Sequence, residues 1–195
     1  MARLPEASLD QLFSHAHSFS KYLQRDVDDG LLMAVADLAK LGPTSMNSCP
    51  GRFMFVKTAD GKERLRANLS PGNVEKTMAA PVTVIIAYDL EFYEKFAKLS
   101  PPGKARDSFV GKPERIESTA IMSATLQAGW LIMAARAFGL DAGPMGGFRP
   151  AGVDESFFAG TPLRSLLLCN LGYADGDQKR PRQPRLDFSE FCTFA

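Results

Sequence analysis

The sequence predicts an α+β protein in which one sheet is sandwiched between helices. Phe53–Val56, Val82–Ala87 and Leu163–Leu171 are apolar runs with the length of buried strands, Val82–Ala87 being rich in β-branched residues, and helical patterns alternate with them. Several connections are too short for a regular doubly wound fold. The third observation is one long helical segment, Pro113–Phe138, far longer than its neighbours.

Taken in order, Ser8 with Gln11 three residues on resembles a capping box that opens a short helix through Phe13 and Ala16. Residues 17–26 are mixed and irregular. Asp28 and Asp29 favour a helix N-terminus, and Leu31, Leu32, Val35 and Leu38 form an apolar stripe. Gly42-Pro43 stops that helix, glycine taking a left-handed turn and proline being unable to continue. After a strand at 53–57, Asp60-Gly61 predicts a turn, Lys62–Leu69 a helix, Ser70-Pro71-Gly72 a break and Asn73–Ala80 a short helix ending before Pro81. Val82–Ala87 is the continuous run expected of a strand covered on both faces. Residues 90–97, with Phe92, Tyr93 and Phe96, look helical, and 98–112, with Pro101-Pro102-Gly103, predict a mobile loop.

Pro113 suits the first turn of the long helix and Gly139 its C-cap. At about 39 Å it exceeds what a compact domain of this size needs. Its second half, Ala128–Ala137, is apolar nearly all round, which predicts burial on every side, in the core or against a second subunit. Gly139–Phe148 reads as a glycine-rich connection, Pro150–Phe158 as a short helix, and Asp175–Pro184 as a polar, basic surface arm.

The 195 residues fit one domain spanning 1–195, with enough apolar content for a sizeable core. A formal net charge of +1 without a charge run gives no field that favours nucleic acid or an anionic membrane. Segment 116–138 carries Glu117, Ser118, Thr119, Ser123, Thr125, Gln127 and Arg136, too polar for a membrane span. Cys49, Cys169 and Cys192 are odd in number and widely spaced, and with only His15 and His17 beside them they build no metal site. Residues 1–30 lack a signal-type apolar core, and a cytoplasmic location is expected.

Chemistry concentrates in Gly42–Val56. Thr44, Ser45, Asn47 and Ser48 offer hydroxyls, an amide and backbone N–H groups between two packed elements, an arrangement suited to a flat polar ligand. In isolation the same residues serve equally as turn formers. Asn73 and Lys76 place an amide and an ammonium one turn apart at a helix start, which alone is an ordinary solvated turn. Pro144-Met145-Gly146-Gly147 allows close backbone approach to a planar ring, or simply a turn. Arg180 and Arg182 have the fork geometry for phosphate, and also the look of a solvated basic surface.

Together, in this order, these segments resemble the nitroreductase family of flavoenzymes. Pro43-Thr44-Ser45-Met46-Asn47-Ser48-Cys49-Pro50 is similar to the family's Pro-Ser-Ser-x-Asn-x-x-Pro segment, with Cys49 in place of a common glutamine. Asn73-x-x-Lys76 resembles the pair that reaches the flavin pyrimidine edge, and Pro144-x-x-Gly147 the loop facing flavin N5, with Gly146 where many members carry glutamate. Arg180-Pro181-Arg182 resembles the basic pair on the flavin phosphate. His17, Ser18 and Ser20 stand where many members place phosphate-clamping arginines.

The resemblance implies a three-layer sandwich with a mixed central sheet, and a homodimer that shares its long helices and C-terminal arms. It implies FMN as cofactor and NADPH or NADH as hydride donor. Hydride passes through flavin N5 in two half-reactions, so no catalytic side chain is implied, and Lys76 stabilises the reduced ring. The implied FMN contacts are His17, Ser18, Ser20, Pro43, Thr44, Ser45, Asn47, Asn73, Lys76, Pro144, Met145, Gly146, Gly147, Arg180 and Arg182. Within the family, Gly61-Lys62-Glu63-Arg64-Leu65-Arg66 and Ala80-Pro81-Val82-Thr83 most resemble the malonic semialdehyde reductase branch of uracil breakdown, which forms 3-hydroxypropionate. A broad nitro or quinone reductase and a non-catalytic flavin-binding protein are the alternatives.

Overall fold

The computed structural model describes residues 2–100, 105–176 and 182–195. A four-stranded sheet, in order β1-β2-β4-β3, is built from β1 (Gly51–Val56), β2 (Val82–Asp89), β3 (Asp141–Met145) and β4 (Leu163–Gly172). All three pairings are antiparallel among the described residues, whereas the resemblance implied a mixed sheet. Of the two inner strands, β2 is buried throughout, and its alternate residues face two different cores. Val84 and Ile86 pack with α2 (Asp29–Ala39) and α6 (Pro113–Ala137). Ile85 and Ala87 pack with Leu65 of α3 (Ala59–Arg66) and with Val153 and Phe158 of α7 (Pro150–Phe158). That makes three layers, helices on each face of one sheet.

Local chemistry explains most element ends. Asp28 caps α2 as expected, its carboxylate accepting from Gly30 N–H at 2.8 Å and Leu31 N–H at 3.3 Å. Gly139, at φ +77°, closes α6 in a Schellman turn: Gly139 N–H donates to Arg136 O and Leu140 N–H to Ala135 O. The α4 helix (Pro71–Ala79) starts at proline, so the expected break at 70–72 is its first turn.

Five local expectations are corrected. The first helix begins at Glu6, not Ser8, and runs on as a π-turn over Asp10–Ser14; the Gln11 amide goes instead to the Arg136 and Ala137 carbonyls at the end of α6. Gly42 is not left-handed. It is needed because a Cβ there would meet Trp130 Cγ at 2.6 Å. Asp60-Gly61 is no turn but the first turn of α3, since Thr58 Oγ1 accepts from Gly61 N–H and starts the helix early. Gly139–Phe148 contains a strand, β3, in which Pro144 is tolerated because the strand is at the sheet edge and Gly143 is favoured because a Cβ would lie 2.9 Å from Tyr22 Oη.

The fifth concerns α6. Ala120, Ala124, Ala128, Leu131 and Ala135 form its core face, but Met122, Leu126 and Trp130 form an exposed stripe at i, i+4 and i+8. So α6 is not buried on every side. Contrary to the reading of 116–138 as too polar, it is long and apolar enough to span a bilayer by length and composition, a test that a core helix also meets, and its core face packs against the sheet and α2. Beyond β4 the chain pairs with 21–23, through Leu23 N–H to Tyr173 O and Asp175 N–H to Lys21 O. It ends in α8 (Phe188–Phe191), where Asp187 and Glu190 form a capping box.

Candidate functional site

The first cluster joins α4 to the β3–α7 loop. Asn73 and Lys76 lie one turn apart on α4, both half-buried. The Asn73 amide donates to Gly147 O at 2.7 Å, and Ser70 N–H donates to the same carbonyl at 3.0 Å. A Leu69–Phe148 bridge extends the contact. A Cβ at Gly147 would collide with Asn73 Nδ2 and push that amide off the carbonyl. At Gly146 a Cβ would meet nothing within 4 Å, so this stretch of backbone has an open flank. Pro144 is exposed, and Met145 is buried with its thioether accepting from Thr77 Oγ1 at 3.5 Å.

The second cluster lies along the same sheet edge. Arg182 Nη2 donates to the carbonyls of Phe13, Ser14 and Ala16 at 2.8, 2.9 and 2.7 Å. This guanidinium therefore docks the segment that carries His17, Ser18 and Ser20. His17 is half-buried edge-on to Phe19, and Ser18 and Ser20 are exposed. The segment is held to β3 through Tyr22, whose hydroxyl donates to Phe19 O and lies over Gly143. Burial pushes the Tyr22 phenol well above its ordinary pKa. Arg180 lies outside the described residues.

The third cluster is the loop at 43–50. Thr44 and Ser45 are half-buried, Pro43 and Asn47 exposed. Met46, Asn47 and Cys49 all have positive φ, near 55°, 55° and 42°, in the left-handed region that costs a non-glycine residue about 1 kcal/mol or more. Neighbouring groups hold it there. Thr44 Oγ1 accepts from Cys49 N–H, Ser45 N–H donates to Ser123 Oγ, and the Asn47 amide donates to Leu99 O at 2.7 Å. The Gln127 Oε1 accepts from Gly51 N–H at 2.7 Å. Arg52 ties the Cys49 carbonyl to Asp89. Ser48 Oγ is fully buried and has no hydrogen-bond partner among the described residues.

The first two clusters flank β3, whereas the loop leads into β1 at the other edge of the sheet. Three strand spacings, roughly 14 Å, separate the two edges. Among the described residues no hydrogen bond joins the loop to either cluster. Sequence reasoning missed the residues that hold these parts: Ser123 and Gln127 inside the long helix, Asn170 on β4, and Lys62. Each is polar and buried, Lys62 on a charged helix and the other three within apolar elements. Gln127 and Ser123 stood in the sequence as polar interruptions of an apolar run, which was their one legible sign.

One antiparallel sheet with helices packed on both faces defines the class as a three-layer α+β sandwich. The sequence profile of the nitroreductase family matches residues 14–173, and the chain belongs to that family. A Burkholderia lata protein with the provisional name NADH dehydrogenase/NAD(P)H nitroreductase is 50% identical over 192 residues, 98% of each chain. A Stutzerimonas stutzeri protein of the same provisional name is 48% identical over 194 residues, covering 100% of this chain and 99% of that one. The fold matches the crystal structure of the Bacillus subtilis nitroreductase ydfN at TM-score 0.84 and 20% identity, over 98% of this chain and 100% of that one. It also matches an Exiguobacterium sibiricum nitroreductase in complex with FMN at TM-score 0.82 and 17% identity, over the whole of both chains.

Proposed function

We propose that this chain is an FMN-dependent NAD(P)H oxidoreductase. The observation that carries the reading is the Asn73–Gly147 hydrogen bond, which sets the Asn73 amide, one helical turn before Lys76, against the loop that has an open flank at Gly146. These residues fit a flavin mononucleotide. Asn73 and Lys76 suit the polar pyrimidine edge, Gly146 and Gly147 suit close approach of a planar ring, and Arg182 with His17, Ser18 and Ser20 suits the phosphate end. The supports also include the family membership and the FMN complex of the Exiguobacterium relative.

When bound, FMN supplies the hydride relay between a nicotinamide and a small oxidant. The chain's own part is positioning and electrostatics. Lys76 would supply positive charge to a flavin held here, the di-glycine loop would present backbone N–H groups, and the 44–47 loop would offer hydroxyls. The oxidant we propose is malonic semialdehyde, reduced to 3-hydroxypropionate, in a cytoplasmic one-domain enzyme. Its support is the branch resemblance of 61–66 and 80–83. NADPH or NADH oxidation by the FMN-loaded protein should be faster with malonic semialdehyde than with menadione or nitrofurazone. Quinone and nitro turnover without aldehyde reduction would leave the broad reductase, and absence of flavin after reconstitution and desalting would sink the enzyme.

We further propose a homodimer whose two sites each use both chains. The 44–47 loop and the two β3-side clusters sit at opposite sheet edges, so a second copy offers the simplest way to complete one site. Two apolar surfaces support pairing. One is the Met122-Leu126-Trp130 stripe of α6. The other is a groove of about 630 Å³ beside β1, lined by Leu32, Met33, Met54, Phe55 and Phe157, which suits the exposed Leu186, Phe188, Phe191 and Phe194 of another copy's tail.

A further inference from the structure

Lys62 lies on the core side of α3 and is only 6% exposed. Its ammonium donates to three oxygens, the Thr77 and Ala80 carbonyls at 2.9 Å each and Thr83 Oγ1 at 2.6 Å, so every ammonium proton is used. Among the described residues it has no carboxylate partner, and burial alone lowers its pKa, to about 8. A buried cation without a counter-ion is costly, and its three acceptors offset that cost. Two of them are the orphan carbonyls at the C-terminal end of α4, where a positive charge also complements the helix dipole. The third passes the contact on. Thr83 Oγ1 donates to Asn170 Oδ1 at 2.8 Å, and Asn170 Nδ2 donates back to the Lys76 carbonyl at 3.1 Å.

The end of α4 is thus held from α3, β2 and β4 at the carbonyls of 76, 77 and 80, while its start is held by Asn73 on Gly147. We infer that Lys62 is a positioning residue for the candidate site: its buried ammonium fixes α4 along its axis and so holds Asn73 and Lys76 in register with the Gly146-Gly147 loop. The functional side of this inference rests on the FMN reading; the structural side does not. It also gives the Gly61–Arg66 segment a chemical role. Gly61 lets α3 settle against Val56, since a Cβ would lie 2.9 Å from Val56 Cγ1, and that brings Lys62 within reach of α4.

The test is amide hydrogen exchange on the flavin-free protein, paired with FMN titration of the same samples. Lys62→Met keeps the length of the side chain and removes the donors. Exchange in residues 71–80 should accelerate about tenfold or more, with the core half of α6 unchanged, and FMN affinity should fall about tenfold. Thr83→Val, which keeps Lys62 but breaks the relay to Asn170, should act in the same direction more weakly and covers the case in which Lys62→Met does not fold. Unchanged exchange across 71–80 in either folded variant would overturn the inference. Faster exchange with wild-type protein that binds no FMN would uphold the hold on α4 and remove the FMN reading. Faster exchange with unaltered FMN affinity would overturn the positioning role.

Discussion

Asn73 and Gly147 are 74 residues apart in sequence, yet the side-chain amide of one and the carbonyl of the other meet at 2.7 Å and leave no space for a β-carbon on the glycine. At the adjacent Gly146 a β-carbon would meet nothing within 4 Å. Two neighbouring glycines therefore serve different ends, one for internal packing and one for what approaches from outside.

Gly147→Ala is expected to lower stability by about 1–3 kcal/mol, because it forces Asn73 away and strands its amide. Gly146→Ala should leave the melting temperature of the flavin-free protein nearly unchanged and weaken FMN binding. Thermal melts and fluorescence titrations of both variants check this; equal loss of stability in the two would refute the division of roles.

The depressed Lys62 pKa makes a signed prediction for stability against pH. Below about pH 8 the group is charged both folded and unfolded, and its burial cost is fully present. Between about 8 and its ordinary value of 10.5 the unfolded chain binds the extra proton, so this group's contribution to stability rises with pH, by up to about 1.4 kcal/mol per pH unit. Tyr22 and Cys169 oppose it, since burial raises both pKa values, Cys169 to about 12. The informative quantity is the urea-unfolding difference between wild type and Lys62→Met at pH 7.5 and 9.5. It should shift in favour of wild type as pH rises.

Gln127→Leu removes the acceptor from Gly51 N–H at the point where the strained loop enters β1. A destabilisation of about 1–3 kcal/mol is expected from the unpaired amide. Denaturant midpoints report the loss, and faster exchange at 44–51 locates it. A midpoint unchanged from wild type would mean that water replaces the glutamine.

Truncation after Arg185 spares the Arg182 contacts to Phe13–Ala16 and the pairing of 173–175 with 21–23, while removing Leu186, Phe188, Phe191 and Phe194. If these side chains fill another copy's groove, sedimentation at micromolar concentration should shift from dimer toward monomer, and flavin should be lost on desalting. A truncated protein that stays dimeric would leave α6 as the sole basis of pairing.

The sequence made much of the scaffold readable for identifiable reasons. The β2 run was continuous and β-branched and the β4 run rich in leucine, and Asp28, Pro113 and Gly139 are position-specific terminators, so their elements lie where expected. Missed was β3, because glycine and proline disguise an edge strand whose needs are set by Tyr22 and β4, neither near in sequence. The exposed stripe on α6 was hidden because apolar residues on both faces look alike until one face has a neighbour. Asn73 and Lys76 were legible as a pair, but their anchors were not. Lys62 and Asn170 reach α4 through tertiary contacts of 15 and 94 residues' separation, which leave no local periodicity.

The left-handed backbone at Met46, Asn47 and Cys49 bears on the history of this chain. Of the three, only asparagine is a residue that accepts that geometry readily; glycine at the other two positions would relieve the turn. Selection for ease of folding alone would have drifted toward that relief. Glycine at Met46 or Cys49 would ease the turn, and at Cys49 it would do so by giving up the thiol's contacts with Thr44 Oγ1 and Asn47 Oδ1.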